Sequence, residues 1–194
     1  MSDYRRNFLP GGTYFFTLVT ERRAPLFANE TARTLLGEAI RECQAKHPFK
    51  VVAMVLLSDH LHALWELPAG DARYSTRWKL IKSAFTRRWL ALGGREQPRG
   101  KSRIREKRRG IWQRRFWEHT IDDLIDLENH FDYIHFNPLI CREYPVKHGY
   151  VNRVRDCPAS TFHRWVEDGH YDINWGKRYV VPELPGGAGE CLEE

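Results

Sequence analysis

The chain has 194 residues, 42% of them apolar, with seven tryptophans and a formal net charge of +6. That length and apolar share predict one folded domain with its own core and exclude a disordered or low-complexity protein. No apolar run approaches membrane-spanning length, and the opening Met1-Ser2-Asp3-Tyr4-Arg5-Arg6 lacks the apolar core of a signal peptide, so a cytoplasmic protein with no membrane partner is expected.

Cys43, Cys141, Cys157 and Cys191 are scattered and form no Cys-x-x-Cys pair, which predicts reduced thiols and no zinc knuckle. Charge is concentrated in one place. Residues 99–115 hold nine Lys or Arg against one Glu, so the other 177 residues carry about −2 between them. Such a segment is either a solvated loop or a docking strip for a polyanion, and the aromatic residues that follow it favour nucleic acid.

In chain order, Pro10-Gly11-Gly12 signals a turn, and residues 13–20 (Thr-Tyr-Phe-Phe-Thr-Leu-Val-Thr) read as a first strand. Residues 29–46 carry Ala32, Leu35, Leu36, Ala39, Ile40 and Cys43 at helical spacing, with Asn29 as N-cap and His47-Pro48 as stop. Residues 49–57 form a second strand. A turn at Ser58-Asp59 leads into a third strand over 60–67, antiparallel to the second because so short a connection allows nothing else.

Ser75 is expected to cap a second helix running to Leu92, with Trp78, Ile81, Phe85, Trp89 and Leu92 as its buried stripe. Gly93-Gly94 ends it. Residues 94–111 read as an exposed basic loop, and 111–119 as a fourth strand of alternating aromatics. A third helix is expected from Thr120 to Asn137, buried through Leu124, Leu127, Phe131 and Ile134 and stopped by Pro138. The sequence of elements predicts an α+β, ferredoxin-like antiparallel sheet with two helices on one face and the last helix free to cover the other. Residues 139–178 read as an irregular extension packed on that single domain, and 179–194 as a flexible tail.

The third strand carries the chemistry. With period two, Leu61, Ala63, Trp65 and Leu67 face the helices, while His60 and His62 share the opposite face. A His-x-His pair is ordinarily a solvated strand face, but two neutral imidazoles side by side can hold one divalent ion. On the last helix Tyr133 and Asn137 lie one turn apart. Alone, the first reads as a core aromatic and the second as a helix cap. Should their face cover the histidines, Asn137 supplies an amide oxygen as third ligand, a donor set suited to Mg²⁺ or Mn²⁺, and Tyr133 aims its hydroxyl at whatever the metal binds. His119 and His135 have no such partners and read as surface residues or supports behind the ligands.

His60-Leu61-His62 is similar to the HUH signature of single-tyrosine transposases and relaxases. Together with Tyr4-Arg5-Arg6, the stretch from Gly11 to Thr17, Trp112-Gln113-Arg114-Arg115-Phe116-Trp117-Glu118-His119 and Asp132-Tyr133-Ile134-His135-Phe136-Asn137-Pro138, it resembles the REP-associated tyrosine transposases over residues 4–175. The resemblance implies a metal-dependent, sequence-specific single-strand DNA endonuclease and strand transferase. It implies Tyr133 as nucleophile forming a 5′-phosphotyrosine link, His60, His62 and Asn137 around Mg²⁺ or Mn²⁺, and hairpin-forming extragenic palindromes as substrate. It further implies a bacterial, nucleoid-associated protein acting as monomer or homodimer.

Candidate DNA contacts are Arg5, Arg6, Lys101, Arg103, Arg105, Lys107, Arg108, Arg109, Arg114 and Arg115. The family runs Asn-Pro-Val-Lys-His-Gly without a break, whereas here residues 139–145 separate Asn137-Pro138 from Val146-Lys147-His148-Gly149. That insertion bears on whether Asn137 reaches the metal. A DNA- or RNA-binding protein on the same scaffold with little cleavage, and a phosphodiesterase that uses water, are the alternatives.

Overall fold

The structure, a computed structural model, describes residues 7–139 and 151–176. Strands β1 (Thr13–Val19), β2 (Lys50–Leu56), β3 (His60–Glu66) and β4 (Trp117–Thr120) form one antiparallel sheet in the order β2-β3-β1-β4. Helices α1 (Glu30–Lys46) and α2 (Tyr74–Ala91) follow β1 and β3, which completes the ferredoxin-like α+β order. A single turn, α3 (Lys101–Arg105), interrupts the basic segment, and α4 (Leu124–Phe136) and α5 (Phe162–Glu167) come after β4.

Alternation in the central strands builds two cores. Tyr14, Phe16 and Leu18 of β1 join Leu61, Ala63 and Trp65 of β3 against Leu36 and Ile40 of α1 and Trp78, Ile81 and Phe85 of α2. Trp65 and Trp78 stack at its centre, 3.9 Å apart and 19° from parallel. The intervening residues Phe15 and Leu64 face the other way and meet Ala53 and Val55 of β2, Phe131 and Ile134 of α4, and Phe162 and Tyr171. The sheet is therefore covered on both faces, and the histidine side of β3 lies under α4.

All six apolar residues expected to anchor α1 are buried, and the Asn29 side chain accepts from the Ala32 N–H as its cap. Elsewhere local signals were overridden. β4 is shorter than the aromatic run of 111–119, because Ile111 and Trp112 are both buried in succession, which breaks the two-residue alternation. Only a single bridge from Trp112 to Thr20 remains there. Ser75 lies inside α2, which starts at Tyr74 after Arg73, and at the other end Leu92 is 66% exposed.

α4 starts later than the Thr120 expected, with Asp123 as its cap. Thr120 is still paired with Tyr14 in the sheet, and the Asp123 carboxylate accepts the Asp126 N–H at 2.8 Å. The first turn of α4 consequently projects past the sheet edge, leaving Leu124 75% exposed rather than in the stripe. Cys43 and Cys157 are free, buried thiols. Among the described residues no helix is long and apolar enough to cross a membrane. The insertion at 139–145 and the tail beyond 176 lie, but for Leu139, outside the described residues.

Candidate active site

β3 is a central strand, so a side chain on its α4 face is enclosed by neighbours on both flanks. His60 and His62 are 3% and 2% exposed, their ring centroids 5.0 Å apart. Each ring has its Nδ1 engaged. Asp59 Oδ1 lies 2.5 Å from His60 Nδ1, and Thr17 Oγ1, opposite His62 in the β1–β3 register, lies 2.9 Å from His62 Nδ1. A carboxylate can only accept, so the His60 proton sits on Nδ1 and Nε2 keeps the lone pair a metal takes. A hydroxyl can accept as well, which permits the same tautomer at His62.

Burial pushes the Asp59 carboxyl up, but its hydrogen bond to His60 and its pairing with Arg23, 3.0 Å away, outweigh this and hold it below the ordinary value. The carboxylate behind His60 is therefore charged at neutral pH.

α4 brings the remaining groups. The Tyr133 ring lies 5.3 Å from that of His62 in an edge arrangement, and Phe15 of the neighbouring strand β1 packs 6.0 Å from Tyr133 and 5.5 Å from His62. Burial raises the Tyr133 hydroxyl above its usual pKa, and a hydrogen bond from the Asn137 side chain works against that rise. Asn137 is 2% exposed, and its Oδ1 has no hydrogen-bond partner among the described residues.

That orphan oxygen tests the fit of a cation. A desolvated amide oxygen facing no donor costs about 1–3 kcal/mol, and a hard divalent ion removes the deficit. With its amide N–H given to Tyr133, whose ring meets that of His62, and its oxygen unmatched among the described residues, Asn137 joins the two imidazoles in a donor set that fits Mg²⁺ or Mn²⁺.

The other expected site residues divide. Arg5 and Arg6 lie outside the described residues. A groove of about 530 Å³ runs between α2 and residues 103–116, floored by Trp78, Trp112 and Phe116. Arg103, Lys107, Arg108, Arg109 and Arg114 line it, together with Lys79, Lys82 and Arg87 of α2, which were not among the expected DNA contacts. Their spacing along one helix flank was the available signal. Among the described residues, no acidic one lines the groove.

Three of its arginines are tied down: Arg103 to Glu21, Arg108 to Glu106, and Arg109 to Glu96 at 2.9 Å. Lys101, Arg105 and Arg115 are exposed and do not line it. The groove lies on the α2 face and the histidines on the α4 face, with β4 as the edge between them: Phe116 packs toward α2 and the next residue, Trp117, toward α4.

Two histidines need correction. His135 is fully buried rather than superficial, its Nε2 2.9 Å from Thr161 Oγ1 and its Nδ1 3.3 Å from the Tyr171 hydroxyl, so it ties α4 to the C-terminal extension. His119 is half-buried and joins Asp126 and His130 in a cluster that sequence reading missed.

The model of the family described as "Transposase IS200 like" matches residues 10–137, which include both histidines, Tyr133 and Asn137. A relative from Haemophilus influenzae, assigned to the REP-associated tyrosine transposases, is 43% identical over 176 residues, 91% of this chain and 94% of its own length. The REP-associated tyrosine transposase of Escherichia coli K12 is 42% identical, covering 90% and 91%. A REP-associated tyrosine transposase solved bound to a REP hairpin superposes with a TM-score of 0.77 at 39% identity over the whole of both chains. The same fold, near-complete coverage and a matched span that ends on Asn137 make the chain a member of the IS200-like transposases, in their REP-associated tyrosine branch, enzymes that nick and join DNA.

Proposed function

We propose that this transposase cuts one strand at the foot of a DNA hairpin formed by a repeated extragenic palindrome, with Tyr133 as nucleophile, and later rejoins it. The observation that carries this reading is the meeting of Tyr133 with His62 at 5.3 Å, one helical turn from an Asn137 oxygen that has no donor among the described residues. Tyr133 Oη attacks phosphorus and the bond to the 3′ oxygen breaks. The phenol gives up its proton, the departing 3′ oxygen takes one, and a 5′-phosphotyrosine link remains. A divalent ion held by His60, His62 and Asn137 would draw charge from the phosphate oxygens.

Asn137 steadies the hydroxyl against the rise that burial imposes, and Phe15 and His62 fix the ring on two sides. The Asp59 carboxylate and Thr17 hydroxyl hold the imidazoles in place, which avoids reorganisation during attack.

The solved relative carries a REP hairpin, and the basic groove of this chain supports a similar substrate. The duplex stem lies against the cations of α2 and residues 103–116, and the unpaired foot passes over the β4 edge to reach Tyr133 on the other face. Phosphate contacts there set affinity and position, while unpaired bases supply sequence. Such a substrate places the protein at the nucleoid.

The test uses a labelled hairpin oligonucleotide with Mn²⁺. The parent should nick it and leave a covalent protein–DNA adduct, and Tyr133→Phe should bind it equally but give neither product. Adduct formation by Tyr133→Phe would refute the assignment, and a parent that binds without nicking would leave a binding protein on this scaffold.

A further inference from the structure

Three side chains that the proposed nicking chemistry does not use converge where β4 passes into α4. His119 comes from β4, and Asp126 and His130 lie one turn apart on α4. His119 Nε2 is 2.8 Å from Asp126 Oδ2, and His130 Nδ1 is 2.9 Å from Asp126 Oδ1. One ligand atom from each of the three lies within 4.8 Å of the others. The imidazoles stack 4.7 Å apart at 14°, so they present matching edges to one carboxylate.

We propose that His119, Asp126 and His130 form a second cation site, for a borderline transition-metal ion of the Zn²⁺ class, that clips the short edge strand β4 to the helix bearing Tyr133.

Two imidazoles and a carboxylate are the three-ligand set Zn²⁺ takes, with water in the fourth position. Ligand atoms of a tetrahedral site with bonds of about 2.0–2.1 Å stand roughly 3.4 Å apart, within a small side-chain adjustment of the spacing seen here. His119 and Asp126 are 19% and 14% exposed, which opens a mouth for that water, while His130 is fully buried and anchors the inner side. Burial keeps His130 neutral, as a ligand must be, and Asp126 stays ionised: burial pushes its carboxyl up, but the Asp122 N–H and the two histidines outweigh this.

The tautomers separate a cation site from a plain hydrogen-bonded triad. Without a cation, His130 donates from Nδ1 to Asp126, whose backbone carbonyl is also 2.9 Å away, and its buried Nε2 lone pair has no partner among the described residues. With Nδ1 on a cation the proton moves to Nε2, and the ring packs against Phe15 at 4.7 Å between centroids, a neighbour that can receive an N–H weakly but has no donor to offer a lone pair. An N–H is attracted to an aromatic face, whereas a lone pair is repelled by it. The cation therefore relieves a mismatch that the triad leaves in place. Tyr133 lies one turn beyond His130, so the clip fixes the start of its helix without touching the reacting atoms.

The test uses the full chain with His60 and His62 both changed to alanine, stripped with chelator, so that the pair beneath Tyr133 no longer binds metal. Titrated with Zn²⁺, this protein should take up an equivalent that raises its melting temperature, and Co²⁺ in its place should give the visible absorption of a low-coordinate site. Adding Asp126→Asn, which preserves shape and an acceptor oxygen, or His119→Ala should weaken that binding about tenfold or more and remove the absorption. No Zn²⁺ uptake by the His60/His62 variant would overturn the proposal, as would uptake that survives both further substitutions. The first of these outcomes decides even if the further variants fold poorly.

Discussion

Asp59 is the residue whose replacement reads most directly on how the histidine pair is tuned. It sits 2.5 Å behind His60 with its side chain 12% exposed, so the charge acts across a short and poorly screened distance. Asparagine keeps an oxygen that accepts from Nδ1–H, preserving the tautomer while deleting the charge, and alanine deletes both. Outer partners of ligating histidines are worth about 10–100-fold in metal affinity, or roughly 1.4–2.7 kcal/mol. Asp59→Asn should therefore weaken Mn²⁺ binding by about tenfold and Asp59→Ala by up to about 100-fold.

The assay is titration of metal-free protein followed through the electron paramagnetic signal of free Mn²⁺. It is run without DNA, in an Asp126→Asn background so that only the histidine pair is read. Nicking of hairpin oligonucleotide supplies the second readout, and saturating Mn²⁺ should restore most of the rate to Asp59→Asn. If both variants bind Mn²⁺ like their parent while melting normally, the carboxylate does not tune a ligand and the role given to His60 is wrong.

Three further outcomes follow from particular contacts. Burial, with Arg164 adding to it, depresses His135 to about 3, and burial also depresses His130. Because these folded-state values lie below the unfolded value near 6.5, the unfolded chain takes the proton first. Their stability contribution is complete above about pH 6.5 and falls below it, for His135 by about 1.4 kcal/mol per pH unit down to about 3. Urea melts between pH 7 and 5 should show this fall, and an undiminished slope in His135→Gln would exclude a neutral, buried His135.

Replacing Lys79, Arg87 and Arg114 together should flatten the salt dependence of hairpin binding by about 2.7 in log–log slope, as for three lost phosphate contacts. The matching triple at Lys101, Arg105 and Arg115 should change it less, and the opposite ranking would move the DNA off the groove. Trp65→Ala removes one half of the 3.9 Å stack with Trp78 and should cost about 3–5 kcal/mol in urea unfolding.

The layout of the fold was legible because the strongest patterns are long and strictly periodic. α1 shows all six apolar residues at helical spacing, and β3 sorts its side chains with period two, so both buried the faces their sequences advertise. The basic segment was less legible. Its single turn of helix is too short to display a period; what folds it is an ion pair from Arg103 to Glu21 of the body, 82 positions away, and one from Arg109 to Glu96 that closes the segment on itself. A run of positive charge states what it attracts; it does not say which acids inside the same chain will claim part of it.

The site has the same division between what spacing encodes and what only tertiary contact supplies. That His60 and His62 share a face follows from alternation, and that Tyr133 and Asn137 share one follows from the helical turn. Asp59 could not be placed this way, since adjacent residues of an extended strand point apart. The turn at Ser58-Asp59 puts Asp59 outside β3, where alternation no longer applies, and Thr20 holds its backbone by two hydrogen bonds to the Asp59 carbonyl while Arg23 takes the second carboxylate oxygen. Thr17 reaches His62 only through the β1–β3 register, a pairing 45 residues long in sequence. The groups proposed to carry the chemistry share faces that local periodicity displays, whereas the groups that would orient them arrive from turns and partner strands. A single sequence read for spacing will offer candidate ligands and a candidate nucleophile more readily than the carboxylate and hydroxyl placed behind them.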